Sequence, residues 1–229
     1  MPELAEVEGF RRFFSRHAAG KRIRGVDVLD EVSLRNAAPN EADAALFGKR
    51  FDEPYRRGKW LVAPAGPRGV VLHFGMTGRL QWVEDDRPRH RHDRIVFRLE
   101  DGELRYRNMR KLGGVWLATD EGALHEVIGH LGPNADDVDL EGLTALLARR
   151  RGGAKAALMD QRLIAGLGNE LRSQRQQPDP RCPRCHTPLR IATVAGRTTY
   201  WCPRHQPEPG GRSSPAVSPG VPRRGTPRA

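Results

Sequence analysis

Residues 95–106, IVFRLEDGELRY, set two short runs of alternating apolar side chains on either side of Glu100-Asp101-Gly102. Alternation with period two turns one face of each run toward a core, and an acidic-glycine step between such runs is hairpin chemistry. Working outward, strand-like runs recur at 23–28, 60–63, 70–74, 80–83 and 115–117. Many short strands at this spacing favour a β-sandwich or barrel. In front of them, Leu4, Val7, Phe10, Phe13 and Phe14 recur at helical spacing, and Gly20 supplies a stop signal, so a helix is expected over 4–19. Behind them the pattern turns helical from Glu121. Leu140, Leu143, Leu146 and Leu147 share one face of a helix ending in Arg149, Arg150 and Arg151, and a second helix is expected over 154–161, before the glycine-rich turn IAGLGN at 164–169. Residues 171–180 are polar and read as a linker. Beyond Gln206 the composition of Pro, Gly, Ser and Arg cannot bury a core, and disorder is expected there.

A chain of 229 residues has room for one large or two small folded units. Lys plus Arg number 39 against 28 Asp plus Glu, a formal charge of +11, which makes nucleic acid the leading partner class. No apolar run is long enough to span a bilayer, and acidic residues stand where a signal peptide would carry basic ones, so a soluble, cytoplasmic protein is expected.

The three cysteines lie late in the chain. Cys182-Pro-Arg-Cys185 is followed, after sixteen intervening residues, by Cys202-Pro-Arg-His205. An odd number of cysteines argues against a disulfide framework, whereas two ligand pairs of this kind suit one tetrahedral zinc ion. Four protein ligands leave no open position, so such an ion would be structural. The intervening residues 188–194 and 197–200 flank Ala195-Gly196 and predict a β-hairpin with Arg197 at its turn, a candidate phosphate contact.

The opening MPELAEVE carries a different chemistry. A small residue at position two allows Met1 to be removed, which leaves Pro2 with a free secondary amine. An α-amino group titrates near about 8, against about 10.4 for lysine, so far more of it is neutral and nucleophilic at pH 7. The positive end of the following helix also disfavours the protonated amine. Attack on a sugar C1′ would form an iminium, an electron sink for elimination, and Glu3 beside it is placed to exchange protons. Taken alone, Pro2 and Glu3 would do no more than open a helix.

They do not stand alone. PELAEVEGF at the start, RRGKW around Lys59, HFGMTG around Met76, YRNMRKLGG around Arg110, LGP at Leu131, AKAALMDQRLIAGLGN over 154–169 and the CPRC…GRTTYWCPRH finger occur in an order that resembles the formamidopyrimidine-DNA glycosylase and endonuclease VIII family of bacterial repair enzymes. The resemblance implies an α+β multidomain fold. It comprises a catalytic domain at 1–120 (an N-terminal helix on a two-layer β-sandwich), a helix-two-turn-helix DNA-binding domain at 121–172, a linker at 173–180, a zinc finger at 181–206 and a tail at 207–229. It implies a monomer that excises oxidised bases from double-stranded DNA and cuts at the abasic site. Pro2 would be the nucleophile, Glu3 the general acid and Lys59 a catalytic or phosphate-positioning lysine. Met76, Arg110 and Leu112 would fill the gap left by the flipped nucleotide, and Lys155, Asn169 and Arg197 would contact phosphate or lesion.

The sequence also departs from the family. Ala5 stands where proline is usual, Leu112 where phenylalanine is usual, and His205 replaces the fourth cysteine. Between Asn169 and Cys182 family members carry several dozen more residues, including a loop that closes over the damaged base. The helical core is therefore expected to be incomplete, with Leu143, Leu146, Leu158 and Ile164 exposed. Two readings follow: a bifunctional glycosylase and lyase, or a degenerate protein that holds damaged or abasic DNA without turnover. A zinc-ribbon binder unrelated to repair would leave the N-terminus unexplained.

Overall fold

A computed structural model describes residues 2–84, 87–148, 150, 153–168, 179–194 and 197–205, with the backbone alone at Val194 and Arg197. The chain divides into two compact units, Met1–Glu170 and Leu171–Ala229.

The first unit opens with α1 (Leu4–Ala18), which buries Val7, Phe14 and Ala18 at helical spacing. Two four-stranded antiparallel sheets follow. One has the order β1-β6-β7-β5, from Ile23–Val28, Asp93–Leu99, Gly102–Asn108 and Gly78–Val83. The other runs β2-β3-β4-β8, from Tyr55–Arg57, Trp60–Ala65, Arg68–His73 and Gly114–Ala118. Leu99 pairs with Gly102, so Glu100 and Asp101 form the expected hairpin turn. Val26, Ile95, Phe97, Leu104 and Tyr106 of the first sheet share one apolar cluster with Leu61, Ala63, Val70, Leu72 and Val115 of the second, and Phe14 and Phe51 stand edge to face within it.

Residues of opposite parity on β3, β4 and β8 turn outward. Val62, Val71 and Ala118 pack against Ile128 of α3 (Glu121–Ile128), Leu131 and Ala165. A sheet covered on both faces needs unbroken apolar runs, which is why GVVLHF shows no alternation. The free edge at β8 is closed by a side chain: Asn36 accepts from the Leu117 N–H and donates to the Leu117 carbonyl, both at 2.8 Å.

One helix, one strand and a short 3-10 turn at Glu31–Ser33 are absent from the sequence reading. The helix α2 (Pro39–Leu46) buries Ala42, Ala45 and Leu46, and alanines give little periodic signal. The three residues of β2 have no apolar run at all. The helices α4 (Leu140–Ala148) and α5 (Ala154–Met159) form where helices were expected, although α5 stops short of Gln161 because Asp160 leaves helical geometry. Leu143, Leu146 and Leu158 are half-buried, and Leu140 is 80% exposed beside a groove of about 690 Å³ lined by Pro133, Val138, Leu146 and Leu163. The expectation of an exposed Ile164 is corrected: it is 3% exposed, in the turn that delivers Ala165 to the outer face of the second sheet. The expected linker lies mostly, and the C-terminal tail wholly, outside the described residues.

In the second unit β9 (Arg190–Val194) and β10 (Arg197–Trp201) pair antiparallel, Arg190 opposite Trp201.

Phe51 is 1% exposed and also packs edge to face on Phe97. Replacing it by alanine leaves a cavity at the meeting point of α1 and both sheets, so Phe51→Ala should lower unfolding free energy by about 3–5 kcal/mol, read from urea denaturation.

Candidate active site

The start of α1 is seated on the glycine-rich turn. Glu3 is the N-cap residue, and its backbone N–H donates to Glu6 Oε2 at 3.0 Å, tying off one of the amides that a helix start leaves open. The Leu4 N–H donates to the Gly166 carbonyl at 3.1 Å, and the Gly168 N–H donates to Glu3 Oε2 at 3.0 Å. Side chains at these two glycines would disturb the junction, by strain at one and by displacing the Glu3 carboxyl at the other. Gly166 has φ +112°, and a Cβ on Gly168 would lie 2.1 Å from Glu3 Oε1. Pro2, half-buried, precedes this junction directly.

The loop that carries Lys59 meets the same turn through Gly58. Lys59 sits between β2 and β3, and the residue is only 6% exposed. Gly58 before it has φ +57°, its N–H donates to Asn134 Oδ1 at 2.7 Å, and a Cβ there would lie 2.8 Å from the Ala165 Cβ. Ala165 in turn bonds both ways with the 133–135 segment, to the Pro133 carbonyl and from the Ala135 N–H. The helix start with Pro2 and Glu3, and the turn with Lys59, therefore meet on Ala165-Gly166. Arg56 and Arg57 hold the Lys59 turn in place, Arg56 on Asp136 and the Gly58 carbonyl, Arg57 on the Leu131 carbonyl. The sequence reading passed over these arginines, Asn134 and Gln161, although all four lie within or beside the quoted RRGKW, LGP and LMDQRLIAGLGN motifs.

Strand register gathers the remaining candidates of the β domain. Trp60 pairs with His73, and His73 with Gly114, so the Lys59 turn, the 74–77 turn and the 109–113 loop leave one end of one sheet. Met76 is 48% and Leu112 54% exposed, and Met109, which sequence reasoning missed, is 55% exposed. The Arg110 guanidinium lies 3.3 Å from the Met76 sulfur. Beneath these tips runs a buried polar chain. The Arg110 N–H donates to Thr77 Oγ1, Thr77 and the Lys111 N–H donate to Asn108 Oδ1, Asn108 donates to the Tyr106 hydroxyl, and Tyr106 donates to the His73 carbonyl. Burial pushes the Tyr106 hydroxyl up to about 12. His73 is driven down to about 4 by burial, with the charges of Lys59 and Arg35 acting in the same direction, so it is neutral at pH 7 and its Nδ1 accepts the Gly75 N–H.

Lys155 is half-buried on α5. Asn169 and the Arg197 side chain lie outside the described residues; the Arg197 backbone opens β10 opposite Val194.

In the second unit Cys182, Cys185, Cys202 and His205 converge with all four ligand atoms within 4.8 Å of one another. Cys182 Sγ lies 3.4 Å from His205 Nδ1, and Cys185 Sγ lies 3.6 Å from Cys202 Sγ and 3.7 Å from His205 Nδ1. Four such ligands on a tetrahedral ion with bonds of about 2.0–2.3 Å stand about 3.5–3.8 Å apart, close to these three separations, so the set is compatible with one bound metal ion. Hydrogen bonds from Thr187 hold the Cys185 thiol down at about 7, toward the thiolate a metal needs.

A family model described as the formamidopyrimidine-DNA glycosylase N-terminal domain matches residues 1–115. A formamidopyrimidine-DNA glycosylase of Symbiobacterium thermophilum is 33% identical over a 278-residue alignment covering 92% of this chain and 91% of that protein. Since 92% of 229 residues is about 211, several dozen positions of that alignment face no residue here. The enzyme of Stenotrophomonas maltophilia strain R551-3 is 38% identical over 173 residues, 74% of this chain and 63% of its own length, so the chain spans less than two thirds of that relative. A structure of the Lactococcus lactis enzyme non-covalently bound to DNA containing an abasic site superposes with a TM-score of 0.79 at 24% identity, covering 90% of this chain and 100% of that one. The mixed fold of antiparallel sheets and helices is therefore the one found in lesion-bound DNA glycosylases. The chain belongs to the formamidopyrimidine-DNA glycosylase family.

Two outcomes follow from the site. Because the folded-state pKa of His73 lies below its unfolded value, the unfolded chain binds the extra proton between about pH 6.5 and 4, and stability is lost as pH falls through that window. Comparison of the urea midpoints of wild type and His73→Gln across it should show an acid loss smaller by about 2–3 kcal/mol in the variant. In the second unit, Cys202→Ser should lose the bound metal by elemental analysis and with it the hydrogen-exchange protection of β9 and β10; a hairpin equally protected without metal would refute a structural ion.

Proposed function

We propose that the protein is a base-excision repair enzyme that removes oxidised bases of the formamidopyrimidine and 8-oxoguanine type and cleaves at abasic sites through Pro2. The observation that carries this reading is the docking of the α1 start, Pro2 and Glu3, onto Gly166 and Gly168 beside the buried Lys59. With Met1 removed, the Pro2 nitrogen attacks the sugar C1′ and the base departs with the glycosidic electron pair and a proton. Glu3, fixed by the Gly168 N–H, protonates the ring oxygen as the sugar opens. The resulting iminium draws electrons from C2′ when its proton is lost, and the bond from C3′ to the phosphate oxygen breaks. Lys59 supplies positive charge at the same place.

Such chemistry requires the nucleotide to leave the duplex. The exposed tips of Met76 and Leu112, with Arg110 against Met76, suit the vacated space, since apolar wedges inserted between base steps hold a kinked duplex open. Lys155, Asn169 and Arg197 would add phosphate contacts, and the net charge of +11 favours salt-sensitive, sequence-independent DNA binding. The clustered Cys182, Cys185, Cys202 and His205 set is read as a structural zinc site in a finger at 181–206, with a helix-two-turn-helix element within 121–172 and the catalytic domain at 1–120. The protein would act as a monomer on chromosomal DNA in the cytoplasm; among the described residues no helix is long and apolar enough to cross a membrane. A second reading, a binder of abasic DNA without turnover, draws on the alignment positions that have no counterpart here.

Borohydride separates the two. Incubated with abasic duplex, the wild type should give a covalent adduct mapping to Pro2, because hydride reduces the iminium to a stable amine. Tight abasic-site binding with no adduct would select the second reading.

A further inference from the structure

We propose that Gln161 is a positioning residue for the Glu3 carboxyl, acting through the glycine-rich turn at 164–168; the proposal rests on the reading of Pro2 and Glu3 as the reacting pair. Gln161 bonds to the backbone of the turn. Its side-chain amide takes the place of a peptide group inside the turn. Oε1 accepts the Gly166 N–H at 3.0 Å, and Nε2 donates to the Leu167 carbonyl at 2.9 Å and to the Met159 carbonyl at 3.2 Å. The Gln161 backbone carbonyl accepts the Gly132 N–H at 2.9 Å, which anchors the clamp to the segment that also carries Asn134.

The consequence lies one residue further on. Gln161 grips the turn at the N–H of Gly166 and the carbonyl of Leu167, so the direction of the Gly168 N–H is set, and that amide is the one held 3.0 Å from Glu3 Oε2. Gly166 is gripped from both sides, by Gln161 at its N–H and by Leu4 of α1 at its carbonyl. A turn with two glycines in three residues has wide conformational freedom, and one of them here has φ +112°. Without a clamp, the Gly168 amide would sample many directions and the carboxyl would lose its fixed donor. An aliphatic side chain offers neither bond. A glutamate keeps the acceptor for Gly166 and lacks the donor for Leu167.

The test uses the full-length, metal-loaded protein and two measurements. In Gln161→Leu, hydrogen exchange at the Gly168 amide should speed up about 10-fold or more while β3, β4 and β8 keep their protection. The single-turnover rate of borohydride-trapped adduct on abasic duplex should fall about 10-fold, with the dissociation constant for the same duplex within about two-fold of wild type. Gln161→Glu should lie between the two and also serves if the leucine variant does not fold. Folded variants with wild-type Gly168 exchange and wild-type trapping rate would overturn the proposal. So would rate and affinity falling together with a lower melting temperature, the mark of a merely structural role. If wild type itself traps no DNA, the reading of Pro2 fails, and unchanged Gly168 exchange in the variants would still overturn the clamp separately.

Discussion

One hydrogen bond joins residues 165 apart in sequence: the Gly168 N–H to the Glu3 carboxylate. The start of a chain is ordinarily its loosest part, because fixing it costs backbone entropy with contacts on one side only. Here the first residues are held by the helix they begin, by the Leu4 to Gly166 bond and by a turn whose glycines leave no space for side chains. The rest of the first unit serves this junction. Burial of Val7, Phe14 and Ala18 fixes α1 against the sheets, and the outer face of the second sheet fixes Ala165 at the other end of the contact. The place of Pro2 and Glu3 is defined only if both anchors hold.

The second constraint is the shared end of one sheet. Register alone puts Lys59, Met76 and the 109–113 loop together, because Trp60, His73 and Gly114 form a single row across β3, β4 and β8. Exposed apolar tips on short loops would collapse onto the surface if their backbones were free. The chain from Thr77 through Asn108 and Tyr106 to the His73 carbonyl prevents this, with each buried polar group partnered. A neutral His73 belongs to the same arrangement. Burial disfavours the charged ring first, and the positive charges of buried Lys59 and exposed Arg35 act in the same direction.

Much of this was legible in the sequence, for reasons that differ by element. Strand periodicity located β1 and the β6–β7 hairpin closely, since alternation reports a sheet with one buried face. The ligand pairs at Cys182 and Cys202 were legible because few other uses exist for them. Hidden from the sequence were α2, whose alanines bury without a strong pattern, and β2, which is a strand only because the Gly58 turn folds it onto β3. The supporting residues Arg56, Asn134 and Gln161 were also illegible as such. Each acts through backbone groups of distant residues, and neither composition nor spacing marks which carbonyl or amide a side chain will meet. Ile164 misled for a related reason: it was assigned to an unfinished helical core, whereas the turn that contains it packs on the sheet.

The positions missing relative to the Symbiobacterium thermophilum enzyme would be expected to weaken whatever they packed against, and the signs of that are local. Of α4 and α5, no described side chain is fully buried, and an apolar groove runs along α4 beside the exposed Leu140. The turn at 164–168 follows directly after α5 yet takes its support from elsewhere: from the Pro133–Ala135 segment, from Gln161 and from α1 itself. The junction of Glu3 with Gly168 is thus tied mainly to the well-packed β part of the unit and only at one end to the loosely packed helices. No described residue of α4 is buried, whereas Ala165, beside the junction, is 0% exposed and packs with Val62, Val71 and Ala118 of the sheet. Fluctuation of the helical part and loss of the Glu3–Gly168 junction are therefore separable events, and the first need not bring about the second.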